Sequence, residues 1–392
     1  MKKHYQILLI FAVFGVLSAS CKKNSVPDDT TVVAPPDTIR TVAYKDSVFT
    51  EYFRKTSGWI ASDATISLPL SNNKVLWLFG DTYIDGYRAS DTSLNCFFQV
   101  RNSMLLQDKQ NPSQLLTILD NTQAGVNRTP IKIGDNSTYF WPGHGYAEQD
   151  TAFVFWQEYM GANYTLLGNY ISKIYTPGMV DASAIKDLIK LPLPDGLTYG
   201  TSILIDSVGG YRYIYGSKQD WIVHRPLVAR LSINKDITEP WEFYTGSGWS
   251  SSANDGAALL TGSKGHVSPS YSVIKIQGKY YMISQDNGFL TCGLGRDIYA
   301  WRSDTPYGPF TDKTLLYTIE DKYRGSYYIT YNATAHPQFT TNNELLISYN
   351  VNDICPAQCG ASGGRRNADG YRPKFIRVPF SVIDPALTTP VN

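Results

Sequence analysis

Five times along this chain a polar or glycine-rich loop leads into a short β-prone run, a tight turn, and a second run ending in a polar cluster. These units cover 62–81, 143–158, 200–216, 268–286 and 335–350. The clearest hairpin joins 272–276 to 279–284 through Gln277-Gly278, with glycine in the turn position that favours it. A second joins 203–207 to 211–215 through Gly209-Gly210. Helical spacing is confined to a short stretch around Ala182 to Ile189. A repeat of roughly 60 to 70 residues is longer than the WD40 or kelch unit. Five four-stranded units of that size use up the chain after residue 40. A pair of β-sandwiches also permits antiparallel hairpins, but gives no reason for polar clusters to recur at one strand end. The expected fold is therefore all-β: a five-bladed β-propeller with four-stranded antiparallel blades over 41–392. In such a ring the innermost strands begin around one funnel, so residues distant in sequence can share a pocket.

The first 40 residues follow a different pattern. Lys2 and Lys3 precede an apolar run from Ile7 to Leu17, then the small residues Ser18, Ala19 and Ser20, then Cys21. The run is short of the ~20 apolar residues that span a bilayer. The order of charge, apolar stretch and small residues predicts a secretory signal over 1–20. A cysteine at that junction resembles a bacterial lipobox, which implies acylation of Cys21, a membrane partner through that lipid, and a place in the bacterial cell envelope. Residues 22–40 read as a polar tether. Four further cysteines remain: Cys96, Cys292, Cys355 and Cys359. An exported chain can form disulfides. Cys355 and Cys359 bracket one loop and are expected to staple it, since no histidine stands at zinc-ligand spacing beside them. Sequence does not fix the pairing.

Lys and Arg total 35 against 34 Asp and Glu. No global field recruits nucleic acid or anionic lipid, and a roughly neutral partner is expected. The 28 Tyr, 16 Phe and 8 Trp are a better guide. Rings with an apolar face and a polar tip suit both packed sheets and sugars.

Asp63 stands ahead of an alternating strand, and Asp81 ends an apolar strand just after Gly80. A hairpin turning near 71–74 brings both carboxylates to the same end. Paired carboxylates are what glycosidic hydrolysis requires, one to protonate the leaving oxygen and one to act as nucleophile or base. A lone strand-end Asp more commonly caps a turn; two on one hairpin favour chemistry. Glu158, ending a second-blade strand, is a third candidate carboxylate. Trp59, Trp141 and Tyr199 lie where innermost strands begin and are candidates to stack on sugar. His144 between two glycines, Ser268, Asp286 and His336 are candidate polar contacts to the glycan. Asp297 beside Arg296 reads as a structural ion pair. The glycine-rich 359–366 lacks the ending of a phosphate loop, and no Gly-x-Ser-x-Gly elbow is present. No organic cofactor is implied, and no oxygen cluster calls for a metal ion.

Trp77-Leu78-Phe79-Gly80-Asp81-Thr82 resembles the signature of the bacterial domain of unknown function 4185, a family that includes glycoside hydrolase family 183, the endo-D-arabinofuranases. The likeness continues in order through Trp141-Pro142-Gly143-His144-Gly145, Val228-Ala229-Arg230 with Trp241-Glu242-Phe243-Tyr244, and Ser268-Pro269-Ser270-Tyr271. It ends in Trp301-Arg302-Ser303 with 306–310, and Ala335-His336-Pro337 with 348–352. The resemblance implies a five-bladed propeller acting on furanose-containing glycans, with Asp63 and Asp81 on the acidic positions of the first blade. The expectation is an exported lipoprotein glycoside hydrolase cleaving an arabinan-like polysaccharide. The alternative is a surface propeller that binds glycan without cutting it. A protein-binding propeller, the third reading, would present an apolar patch at the funnel.

Overall fold

Glycine places the two hairpins where expected. Ser272–Ile276 pairs antiparallel with Lys279–Gln285 across Gly278 (φ +82), and Leu197–Asp206 pairs with Tyr211–Asp220 across Gly210 (φ +74). Each hairpin is the inner half of a blade. The computed structural model describes residues 40–134, 137–220, 223–260, 265–286, 295–353, 359 and 364–387. Five antiparallel blades follow in chain order, spanning 66–118, 138–190, 197–250, 272–318 and 329–379. The third departs from the four-stranded expectation by adding a short fifth strand, Trp249–Ser250, beside Glu242–Tyr244.

The fifth blade borrows its outer strand from the start of the domain. Tyr44–Lys45 pairs with Lys374–Pro379, Lys45 opposite Ile376. Asp46 then serves two masters. One carboxylate oxygen caps helix Ser47–Tyr52 by accepting from the Phe49 N–H at 2.8 Å, and the other holds Arg377 at 2.8 Å.

Packing explains why a blade strand such as Lys74–Phe79 reads as an unbroken apolar run. Side chains alternate between the two faces of a strand, and both faces of a blade are covered by neighbours. Leu76 and Leu78 meet Phe140, Val154 and Trp156 of the second blade. Val75, Trp77 and Phe79 meet Leu346 and Phe375 of the fifth. Equivalent cores join blades two and three, three and four, and four and five. These cores close the ring face to face, and the five innermost strands each leave one edge toward its centre.

Two expectations are corrected. Ala182 to Ile189 is a single 3₁₀ turn, Ala182–Ala184, followed by Ile185–Lys190, the outer strand of the second blade. Pairing with the adjacent strand outweighs local helical spacing there. Cys359 bonds to Cys96 rather than stapling its own loop. The bond ties a first-blade loop to the segment before the last strand, beside a small ladder of Ser93–Asn95 with Arg365–Asn367. Cys21, Cys292 and Cys355, with the signal and tether, lie outside the described residues.

Candidate active site

The first-blade hairpin sets the two aspartates side by side at one strand end. Ile66 lies opposite Leu78, and just beyond that register the Gly80 N–H donates to the Asp63 carbonyl at 3.0 Å. A short ladder of Trp59–Ser62 with Thr82–Ile84 continues past the pair, so both aspartates are pinned from either side. The Ser62 hydroxyl donates to the Asp81 carbonyl at 2.9 Å and the Thr82 hydroxyl to the Gly80 carbonyl at 2.7 Å. Gly80 is required by space: a Cβ there would lie 2.5 Å from Asp63 Oδ1.

Each carboxylate has its own partners. Asp63 Oδ2 accepts from Tyr331 at 3.1 Å and Tyr371 at 3.0 Å, both from the fifth blade. Asp81 Oδ1 lies 3.4 Å from the Trp141 indole N–H and 3.5 Å from Arg101 Nη1. Burial pushes both carboxyls above the ordinary carboxylate range. For Asp63 the two tyrosine hydroxyls pull back against it. For Asp81 the neighbouring Asp63 charge adds to burial, while Arg101 opposes.

An aromatic wall rises beside Asp81. Trp141 packs against Tyr159 at 5.1 Å and against Tyr139 and Tyr164 at 5.4 Å between centroids, and Tyr164 is 51% exposed. On the other side the Arg366 guanidinium stands 5.0 Å over Tyr371 and bonds the Tyr83 hydroxyl at 3.2 Å.

Of the expected site residues, Asp63, Asp81 and Trp141 converge. The others are placed elsewhere. Trp59 and Tyr199 are fully buried in cores between blades. Glu158 is buried with both oxygens engaged inside its own blade, by Thr138 and Tyr170 at 2.8 Å each. His336 is fully buried, with Nδ1 on Ser67 at 2.5 Å, Nε2 on Ser348 at 2.8 Å and its ring 4.9 Å from Trp77, so no ring nitrogen is left for sugar. His144, on the inner strand of the second blade, lies against the Ser67 backbone; burial lowers its pKa to about 4 and Nδ1 has no partner. The Ser268 N–H donates to Ser284 at 2.9 Å and its hydroxyl to the Ser270 carbonyl, closing a turn. Asp286 faces Lys313 of its own blade at 3.9 Å. Arg296 pairs with Glu320 at 2.8 Å, and the Asp297 charge is a lesser partner beside it. Tyr331, Tyr371, Arg101 and Arg366 were not singled out by sequence. Arg101 comes from the first blade itself, whereas only the assembled ring brings Tyr331 and Tyr371 onto Asp63, with Arg366 behind Tyr371.

No curated protein matches the chain. A solved structure from Bacteroides ovatus, provisionally assigned as a hydrolase, is similar at 24% identity and TM-score 0.70, covering 86% of this chain and 90% of that one. At TM-score 0.48 stand the GH43 endo-arabinanase of Bacillus licheniformis (12% identity; 83% and 96% covered) and an exo-1,5-α-L-arabinanase from a bovine ruminal metagenomic library (9%; 82% and 94%). The family model that matches does not carry the number 4185 reached through the motifs. From residue 46 to residue 380 the chain matches domain of unknown function DUF5005, and it belongs to that family.

Proposed function

We propose that the protein is a glycoside hydrolase whose acid–base pair is Asp63 and Asp81. The observation that carries the reading is a half-buried and a buried carboxylate on one hairpin, each raised in pKa, beside a partly exposed tryptophan. Burial and the neighbouring charge hold back ionisation, so Asp81 keeps its proton to a higher pH than Asp63. Two hydroxyls donate to Asp63 Oδ2 and favour its ionised form. Asp63 is therefore the base or nucleophile, and Asp81, raised by burial and by the Asp63 charge, is the acid that protonates the leaving oxygen. Trp141 and Tyr164 offer ring faces to the sugar. The likeness of the Trp77 to Thr82 motif to the endo-D-arabinofuranases supports a furanose-containing, arabinan-like polysaccharide as substrate. The lipobox-like Cys21 supports export and lipid anchoring in the cell envelope.

The test is a polysaccharide panel assayed for released sugar with wild type, Asp63→Asn and Asp81→Asn. Each substitution is expected to lower kcat by at least about a hundredfold, the contribution of a positioned acid or base. Glycan binding by all three without turnover by wild type would replace this reading with that of a surface glycan-binding propeller.

A further inference from the structure

Arg101 lies beside Asp81, and Arg366 stands behind Tyr371, one of the two donors to Asp63; neither guanidinium gives or takes the proton in the acid–base chemistry. Arg101 is held between the rings of Phe98 (4.8 Å) and Tyr139 (4.5 Å). Among the described residues its one ion pair is long, 3.5 Å to Asp81, and its side chain is 35% exposed. A guanidinium has five N–H donors, so most of those on Arg101 remain for a group from outside the protein. Arg366 is the buried counterpart. Its bonds go to the Tyr83 hydroxyl, Asn352 Oδ1 and the Gly370 carbonyl, all neutral, and its Nε is buried without a partner.

Arg101 thus stands beside Asp81, open to solvent and clamped between two rings, with donor capacity its single long contact to Asp81 does not use. We propose that the substrate supplies the partner: the site takes a glycan bearing an anionic substituent, a uronic acid carboxylate or a sulfate, seated on Arg101 beside the scissile bond. The planar fork of arginine matches either group with two parallel hydrogen bonds, and the flanking rings fix the fork before the ligand arrives. The near-neutral charge of the whole chain, which led to the expectation of a neutral partner, governs only the long-range field; the requirement here is local. Arg101 is then a specificity-determining residue, and the inference rests on the hydrolase reading for the bond that is cut.

The experiment measures binding by calorimetry on Asp63→Asn, with and without Arg101→Gln or Arg101→Lys. The probes are a uronic-acid oligosaccharide, its carboxyl-reduced counterpart, and a sulfated neutral oligosaccharide. At least one acidic probe is expected to bind about tenfold or more tighter than the reduced one, as a desolvated bidentate pair allows. Arg101→Gln should remove that preference with little change toward the neutral probe, and Arg101→Lys should retain part of it. The acidic probe that responds identifies the group as carboxylate or sulfate. Equal affinity for acidic and reduced probes overturns the proposal. So does an equal loss for both in Arg101→Gln, which would confine Arg101 to holding Asp81. Because binding is read without turnover, a failure to hydrolyse any glycan would count against the enzyme reading and leave this one standing.

Discussion

The two tyrosine hydroxyls on Asp63 make the site's pH behaviour predictable. Removing a donor to the ionised form raises a carboxyl pKa. Tyr371→Phe should therefore move the acidic limb of kcat/KM upward by roughly 0.5 to 1 pH unit while sparing the alkaline limb. An unmoved acidic limb would take the base role away from Asp63. Stability carries a second signature. Asp81 has a folded pKa above its unfolded value, so its contribution is favourable below the unfolded pKa and is lost as pH rises through the folded one. Asp81→Asn removes that buried charge and should raise the Tm at pH 8 by about 2 °C, with no gain at pH 4. Thermal melts at the two pH values check this; an equal shift at both would mean that charge is not the cause. Asp63 and Asp81 were legible in sequence because one local hairpin places them both. Tyr331 and Tyr371 were not, since nothing local marks a tyrosine that reaches across the seam of a ring.

At the scale of the element, the first hairpin is built around the space that Gly80 leaves. Gly80→Ala puts a methyl group 2.5 Å from Asp63 Oδ1, and overpacking of this kind costs about 1–3 kcal/mol. The expected result is a folded protein with a lower denaturation midpoint and a larger proportional loss of kcat than of substrate affinity, measured by urea titration and steady-state kinetics. Unchanged kinetics would show that the Asp63 carboxylate does not need its present position. The blade count was readable because all five units end in a polar cluster and two of the inner hairpins carry turn glycines, Gly210 and Gly278. Several aromatic residues were misread for a reason at this same scale. Trp59 and Trp141 look alike in sequence, but Trp59 opens a short ladder ahead of the first inner strand and sinks into the core between blades one and five, while Trp141 lies on the second inner strand and reaches the aspartates. The outer strand Ile185–Lys190 failed in the opposite sense, since an edge strand with one wet face has no strong signature of its own.

Over the whole molecule, closure depends on contacts between residues far apart in sequence. The Cys96–Cys359 bond spans 263 residues of chain and crosses the seam beside the site. A cross-link over so long a loop restricts the unfolded chain, typically by 2–4 kcal/mol (about 3 kcal/mol) in stability. Cys96→Ser should lower the denaturation midpoint accordingly in urea. Because the segment it tethers runs on to Arg366 and Tyr371, activity should fall before the protein unfolds. If activity and global structure are lost together, the bond serves the ring alone. The outer strand of the last blade has a further consequence. Tyr44 and Lys45 are made about 330 residues before their partners Arg377 and Ile376. Until then the opening strand has nothing to zip against, and the fifth sheet keeps a bare rim. Closure of the ring therefore waits for the fifth blade, however early the other four have folded.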